Sequence, residues 1–174
     1  MTEDLIRAIE PKLKDIAEKV RLDLATELEQ QGHRLSGKLE KSISYEILQE
    51  ANAFVIAFDY LKYGIYVNNG VSPQNIPFSG RTGRGGTSKY IQALIDYAQA
   101  RGMNKPVSAA FAIAHKHKRE GMPTKASRRF SANGRRTGFQ NQVIEDVQKE
   151  LPNLIDKHLF NQLRIVFENL ITEV

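Results

Sequence analysis

Five cations, Lys125, Arg128, Arg129, Arg135 and Arg136, fall within twelve residues around Phe130, Asn133 and Gly134. A guanidinium offers several N–H donors in one plane, a shape suited to phosphate or carboxylate oxygens, and arginine pairs beside a glycine turn can converge on one such group. Arg81 and Arg84 form a second set, inside the glycine-rich stretch Gly80–Thr87. These seven side chains are the candidate contact residues. Three roles stay open for them: docking an acidic neighbouring subunit, lying close to a nucleic-acid backbone, or keeping the surface soluble.

No other constellation carries chemistry. Gly80 to Thr87 spaces its glycines as a phosphate-binding loop would, but Gly86 stands where the lysine belongs. The preceding Ile76-Pro77-Phe78 does not read as a buried strand, so the phosphate-cradling mechanism fails and no nucleotide or metal is expected there. His115 and His117 lie two apart on an expected helix, which turns their side chains about 200° from each other. With no acid at ligand spacing, the four histidines, His33, His115, His117 and His158, read as solvated residues and not as metal ligands. The acids of the flanks fall on amphipathic helices, and no serine sits in a G-x-S-x-G elbow. There is no cysteine, which removes disulfides and thiolate metal sites. The expectation is a non-enzyme with no catalytic residues, no cofactor and no metal.

The wider charge pattern says more than any one cluster. Arg81 to Arg136 hold thirteen of the 25 Lys and Arg but two of the 20 acids, Asp96 and Glu120, a net of +11; the flanks hold twelve bases and eighteen acids, a net of −6. A basic, glycine-punctuated centre between acidic helical arms suits a negative partner. The length, 174 residues, suits one domain with extended arms, and a hydrophobic fraction of 41% supports a modest core. Met1 to Glu10 lacks the basic-then-apolar order of a signal peptide, and no apolar run approaches a bilayer span. The chain reads as soluble and made in a cytoplasm.

The elements that must position these residues follow from periodicity. Leu5 through Leu28 recur at helical spacing, giving an arm over residues 1–31 that Gly32 stops. Pro11 either bends this helix or marks its first full turn. Residues 42–48 and 53–58 read as a strand pair turned at Glu50-Ala51-Asn52, and the apolar Phe54–Phe58 suits a central strand. The segment 36–70 therefore holds the strand pair and a tyrosine-rich stretch. There Tyr60, Tyr63 and Tyr66 fall at a spacing of three, which suggests rings on one side of a helical turn, packed over the sheet or stacking on bases. Residues 71–87 read as a loop and 88–120 as two helices, the second opened by Pro106 and closed by Gly121. A basic loop over 121–141 precedes helices over 142–174 that Pro152 divides. Val71 to Thr87 and Thr124 to Arg136 are expected to be mobile for want of apolar anchors. The fold class is α+β: a small antiparallel sheet packed by a long N-terminal helix and C-terminal helices, with two long basic or glycine-containing loops.

The order of these parts is similar to a known family. Ser36-Gly37-Lys38-Leu39-Glu40-Lys41-Ser42-Ile43 after a long helix resembles the T-G-x-L-x-x-S-I entry to the first strand of bacteriophage tail-completion proteins, also called head–tail joining or minor tail component proteins. Tyr63-Gly64-Ile65-Tyr66-Val67-Asn68-Asn69-Gly70-Val71 resembles their Y-A-x-Y-V-E-x-G-T segment, with Asn69 near the family's acid. Gly121-Met122-Pro123-Thr124 with Arg128-Arg129-Phe130 is more remotely similar to their P-x-R-P-F stretch. The resemblance covers roughly residues 5–71; residues 71–105 and the long C-terminal segment depart from it. It implies a virion structural protein, assembled in the host bacterial cytoplasm as a homo-oligomeric ring at the neck. Its partners would be neighbouring connector or tail proteins, with non-specific DNA contact compatible and no membrane. The alternative is a stand-alone basic nucleic-acid-binding module.

Overall fold

The apolar stripe of the N-terminal arm folds as a single helix, α1 (Glu3–Gln30), which runs on through Pro11. The computed structural model describes residues 3–50, 53–80, 87–154 and 163–167. The fold is α+β. The chain forms two compact units, one from Met1–Asn69 with Phe130–Val174 and the other from Gly70–Arg129.

In the first unit a short helix, α2 (Lys38–Ser42), leads into strand β1 (Ser44–Gln49), which pairs antiparallel with β2 (Phe54–Asp59). Glu50 N–H donates to Ala53 O across the turn, 2.8 Å apart. Alternation places Tyr45 and Ile47 of β1 with Phe54, Ile56 and Phe58 of β2 in one apolar cluster. Leu13, Ile16, Ala17, Val20, Leu24 and Leu28 of α1 pack into the same cluster. Phe139, Val143, Val147 and Leu151, four residues apart along α6 (Phe139–Leu154), complete it. Helix α3 (Gly64–Asn69) follows β2.

The expectation of helix throughout 142–174 is corrected. Beyond α6, Leu163–Phe167 forms a strand, β3, parallel to β2, so the sheet has the order β1-β2-β3. The hairpin is antiparallel as expected, and the third strand adds a parallel edge. The physical reason lies in β2. Its Phe-Val-Ile-Ala-Phe run is buried throughout, and such a strand needs a hydrogen-bonded partner on both edges. Leu163-Arg164-Ile165-Val166-Phe167 combines branched and aromatic residues that suit a strand. The crossover that a parallel pair needs includes α6.

The second unit rests on a smaller cluster. Helices α4 (Lys89–Ala100) and α5 (Pro106–Glu120) bury Ile91, Ile95, Ala110 and Ala114 with Ile76 and Phe78. Ser88 Oγ accepts the Ile91 N–H at 3.3 Å and caps α4, while Pro106 opens α5. The base of the unit is closed by a two-way bridge: Val71 N–H donates to Met122 O at 2.7 Å and Met122 N–H to Val71 O at 2.8 Å. Gly121 permits this bridge. Its φ is +82°, and a Cβ there would lie 2.6 Å from Val71 O.

Two further expectations change. The loop over 71–87 is not poor in anchors, because Ile76 and Phe78 are buried and Pro73–Asn75 forms a 3-10 turn. Its glycine-rich part, residues 81–86, lies outside the described residues together with Arg81 and Arg84. The three tyrosines do not form one stripe. Tyr60 is buried edge-on against Phe139, their ring centroids 5.9 Å apart, whereas Tyr63 and Tyr66 are exposed. Tyr60 lies before the start of α3, so helical spacing does not govern its direction.

Candidate functional site

The helix α1 ends without a basic residue in its last turn, although its C-terminal carbonyls carry partial negative charge. Gly32, at φ +71°, turns the chain: its N–H donates to Glu29 O and the His33 N–H to Leu28 O, the paired bonds of a glycine-terminated helix. The missing cation arrives from far along the sequence. Arg136 Nη1 donates to Gln31 O at 2.6 Å, and Arg136 O accepts from His33 Nε2 at 3.0 Å. A carbonyl can only accept, so His33 Nε2 carries the proton. Burial, then the adjacent Arg136 charge, lowers the His33 pKa to about 4, against the opposing effect of that hydrogen bond. Nearby, Glu27 Oε1 accepts from Gln31 Nε2 at 2.9 Å and from Asn133 Nδ2 at 2.8 Å. Ala132 N–H donates to Gln30 O.

This network corrects two expectations. Arg136 is a half-buried structural cation of the first unit and not an outward contact residue, while Arg135, beside it, is exposed. The segment 131–136 is fastened to the end of α1 by named bonds, where sequence alone suggested a mobile loop. His33 is not solvated, and neither is His117: it is half-buried, with Nδ1 2.8 Å from Tyr90 Oη, and burial lowers its pKa. His115 is exposed, edge-on to Phe78 at 4.9 Å, so the two α5 histidines do diverge. His158 lies outside the described residues.

Ser36–Ile43 and the start of the Tyr63–Val71 segment meet in the first unit. Ser42 Oγ donates to Leu39 O at 2.7 Å and accepts the Leu61 N–H at 3.1 Å. A Cβ on Gly64 would stand 2.5 Å from the Tyr60 ring and 3.0 Å from Leu39 Cδ1, so only glycine lets α3 approach this closely. Asn68, which sequence reasoning passed over, is buried. Its Oδ1 accepts the Gln140 N–H at 3.0 Å and its backbone O accepts the Gly138 N–H at 2.7 Å, satisfying donors at the start of α6. The only sequence signal for this role is that Asn suits capping positions.

The second unit holds the remaining candidates, Lys125, Arg128 and Arg129, exposed on the 3-10 helix Lys125–Phe130. They follow the basic last turn of α5, where Lys118 and Arg119 suit the helix dipole and Lys116 stands just before it. Glu120 links the two elements. Its Oε1 accepts from Arg119 Nη2 at 3.0 Å and its Oε2 accepts the Lys125 backbone N–H at 3.2 Å. The Arg119 hydrogen bond chiefly holds the Glu120 pKa below its usual range against desolvation, helped by the Lys125 N–H and the Lys116 and Arg119 charges. Thus the Arg119 guanidinium, the Lys125 backbone N–H and the nearby Lys116 charge all act on one carboxylate. Lys118 instead reaches Ile76 O at 3.4 Å.

No protein-family model, curated protein or solved structure matches this chain. Among the described residues no cluster of three or more His, Cys, Asp or Glu could hold a metal ion. Among the same residues no helix is long and apolar enough to cross a membrane.

Proposed function

We propose that this chain is a non-enzymatic virion protein of a tailed phage or prophage, one that joins the head connector to the tail or completes the tail by ring assembly. The observation that carries the reading is the joining of two separated sequence segments into one structural piece. Ser36–Ile43 and Tyr63–Val71 supply the resemblance to tail-completion proteins. Leu39 lies against Gly64 and its backbone hydrogen-bonds Tyr63, while Ser42 accepts the Leu61 N–H just before the second segment. The glycine and serine of these segments have the physical duties that short structural motifs need. The perturbed histidines fit the same reading, because each is tied to a structural partner: His33 to Arg136 O and His117 to Tyr90 Oη.

The mechanism is assembly through complementary faces. A ring uses heterologous contacts, in which one surface of each subunit meets a different surface of the next. Deleting the coding sequence from the phage or lysogen that carries it tests the role. Electron microscopy of the lysate should show DNA-filled heads and separate tails. A normal yield of joined, infectious particles would contradict the proposal. The stand-alone nucleic-acid module remains the second reading, favoured by the basic residues around Glu120.

A further inference from the structure

The boundary between the two units is also a boundary in charge. Gly70–Arg129 contains eleven Lys and Arg but two acids, a net of +9, whereas the other unit holds fourteen against eighteen, a net of −4. In the acidic unit many of these charges are already matched at home. Glu10 pairs with Lys14, Glu18 with Arg21, and Asp146 with Lys149. Lys19 bridges Asp23 and Glu150, and Arg34 bridges Glu29 and Glu40. Within the basic unit two carboxylates stand against eleven cations. One of those two, Asp96, is exposed and bonded to Gln92, and the other is Glu120, bonded to Arg119.

An acidic unit of a second copy, at −4, offsets less than half of a basic unit's +9. If every basic unit met one acidic unit of a neighbour, each subunit would still carry the chain's net +5. A phosphodiester backbone, by contrast, carries about one charge per 1.7 Å of duplex and releases counterions as cations approach. We infer that the Gly70–Arg129 unit binds the phosphate backbone of nucleic acid without sequence preference, through Lys116 and Arg119 near the end of α5 and Lys125, Arg128 and Arg129 on the 3-10 helix that Glu120 ties to it. Charge-assisted bonds from guanidinium and ammonium groups supply the contacts. Glu120 orients Arg119 and lowers affinity by its own charge. This inference does not rest on the virion reading, since it concerns the purified chain and free nucleic acid.

The test is fluorescence anisotropy of a labelled 30-bp duplex of arbitrary sequence with the full chain, over a salt series. With four to five phosphate contacts, affinity should fall roughly 150- to 500-fold between 50 and 200 mM salt. The triple variant Lys116→Gln, Arg119→Gln and Lys125→Gln should make the log–log slope shallower by about 2.7. The double variant Arg128→Gln and Arg129→Gln should lower it by about 1.8. A control removing equal charge from the acidic unit, Lys12→Gln, Lys41→Gln and Lys149→Gln, should leave the slope within about 0.5 of wild type. Circular dichroism melts confirm that each variant is folded. Equal losses in control and triple variant would overturn the site, as would an unchanged slope in both test variants. Salt-sensitive self-association of the chain, abolished by the triple variant while DNA binding is absent, would assign the surface to a second copy and overturn the proposal. A scrambled duplex binding more than tenfold differently would overturn the lack of sequence preference. Loss of DNA binding with normal head and tail phenotypes on deletion, or the reverse, separates this inference from the assembly role.

Discussion

The two units of this chain use charged residues in opposite ways. In the first, cations are turned inward to finish structure: Arg136 supplies the end of α1 with the charge its own last turn lacks. In the second, Arg119, Lys125, Arg128 and Arg129 are exposed on two consecutive elements that Glu120 ties together, in a unit with eleven cations and two acids. Arg129 and Arg136 are seven residues apart and chemically identical, yet they fall on opposite sides of the boundary. The lesson is that a dense run of arginine is not one site. What each member does is set by which folded body its backbone joins.

The comparison breaks most readily through the two cores. Phe58 is fully buried between α1 and the sheet, so Phe58→Ala should cost about 4 kcal/mol in urea denaturation. A loss under about 1 kcal/mol would deny that β2 is the centre of its unit. Ile95, in the smaller cluster of the second unit, is also buried, and Ile95→Ala should cost about 3 kcal/mol.

The end of α1 gives the next largest effects. At Gly32 a Cβ would stand 2.1 Å from Phe130 O in a left-handed backbone, so Gly32→Ala should cost about 3 kcal/mol. Arg136→Ala should cost about 2 kcal/mol by removing a charge-assisted bond and the cation at the helix end. Arg135→Ala should change stability by less than about 0.5 kcal/mol. Equal costs at Arg135 and Arg136 would remove the distinction between inward and outward cations.

Acid sharpens the comparison further. The folded-state pKa of His33 is about 4, below the ordinary histidine value of 6.5. The unfolded chain therefore binds a proton that the folded chain refuses between those limits. Stability from this site is full above pH 6.5 and falls as pH drops toward 4. His117 is shifted in the same direction, so the second unit should weaken on the same side. A urea midpoint series from pH 7 to 4.5 should slope downward, and His33→Asn should flatten part of that slope. An identical slope in the variant would show that His33 is not the responsible group.

Much of this was legible in the sequence. The spacing from Leu13 to Leu28 dictated a helix, Gly32 its end, and Pro106 and Gly121 the limits of α5. The hairpin followed from alternation in Ile43–Leu48 and the apolar run in Phe54–Phe58. The third strand was not, because Leu163–Phe167 also fits a helical stripe and its pairing depends on β2, a hundred residues earlier. Arg136 was misread for the same reason. Nothing local says that its guanidinium meets Gln31 O, a bond spanning 105 residues. The expectation for Lys125, Arg128 and Arg129 rested on composition; that Glu120 would tie the Lys125 backbone to the end of α5 was not legible, because the bond depends on how the chain turns after Gly121.

Hydrogen exchange of the full chain with and without duplex DNA at low salt tests the division of roles most directly. The account predicts slowed exchange confined to α5 and the Lys125–Phe130 helix, with α1, the β1–β2 hairpin and residues 131–136 unchanged. Protection spread evenly over both units, or centred on α1 and Arg136, would contradict it.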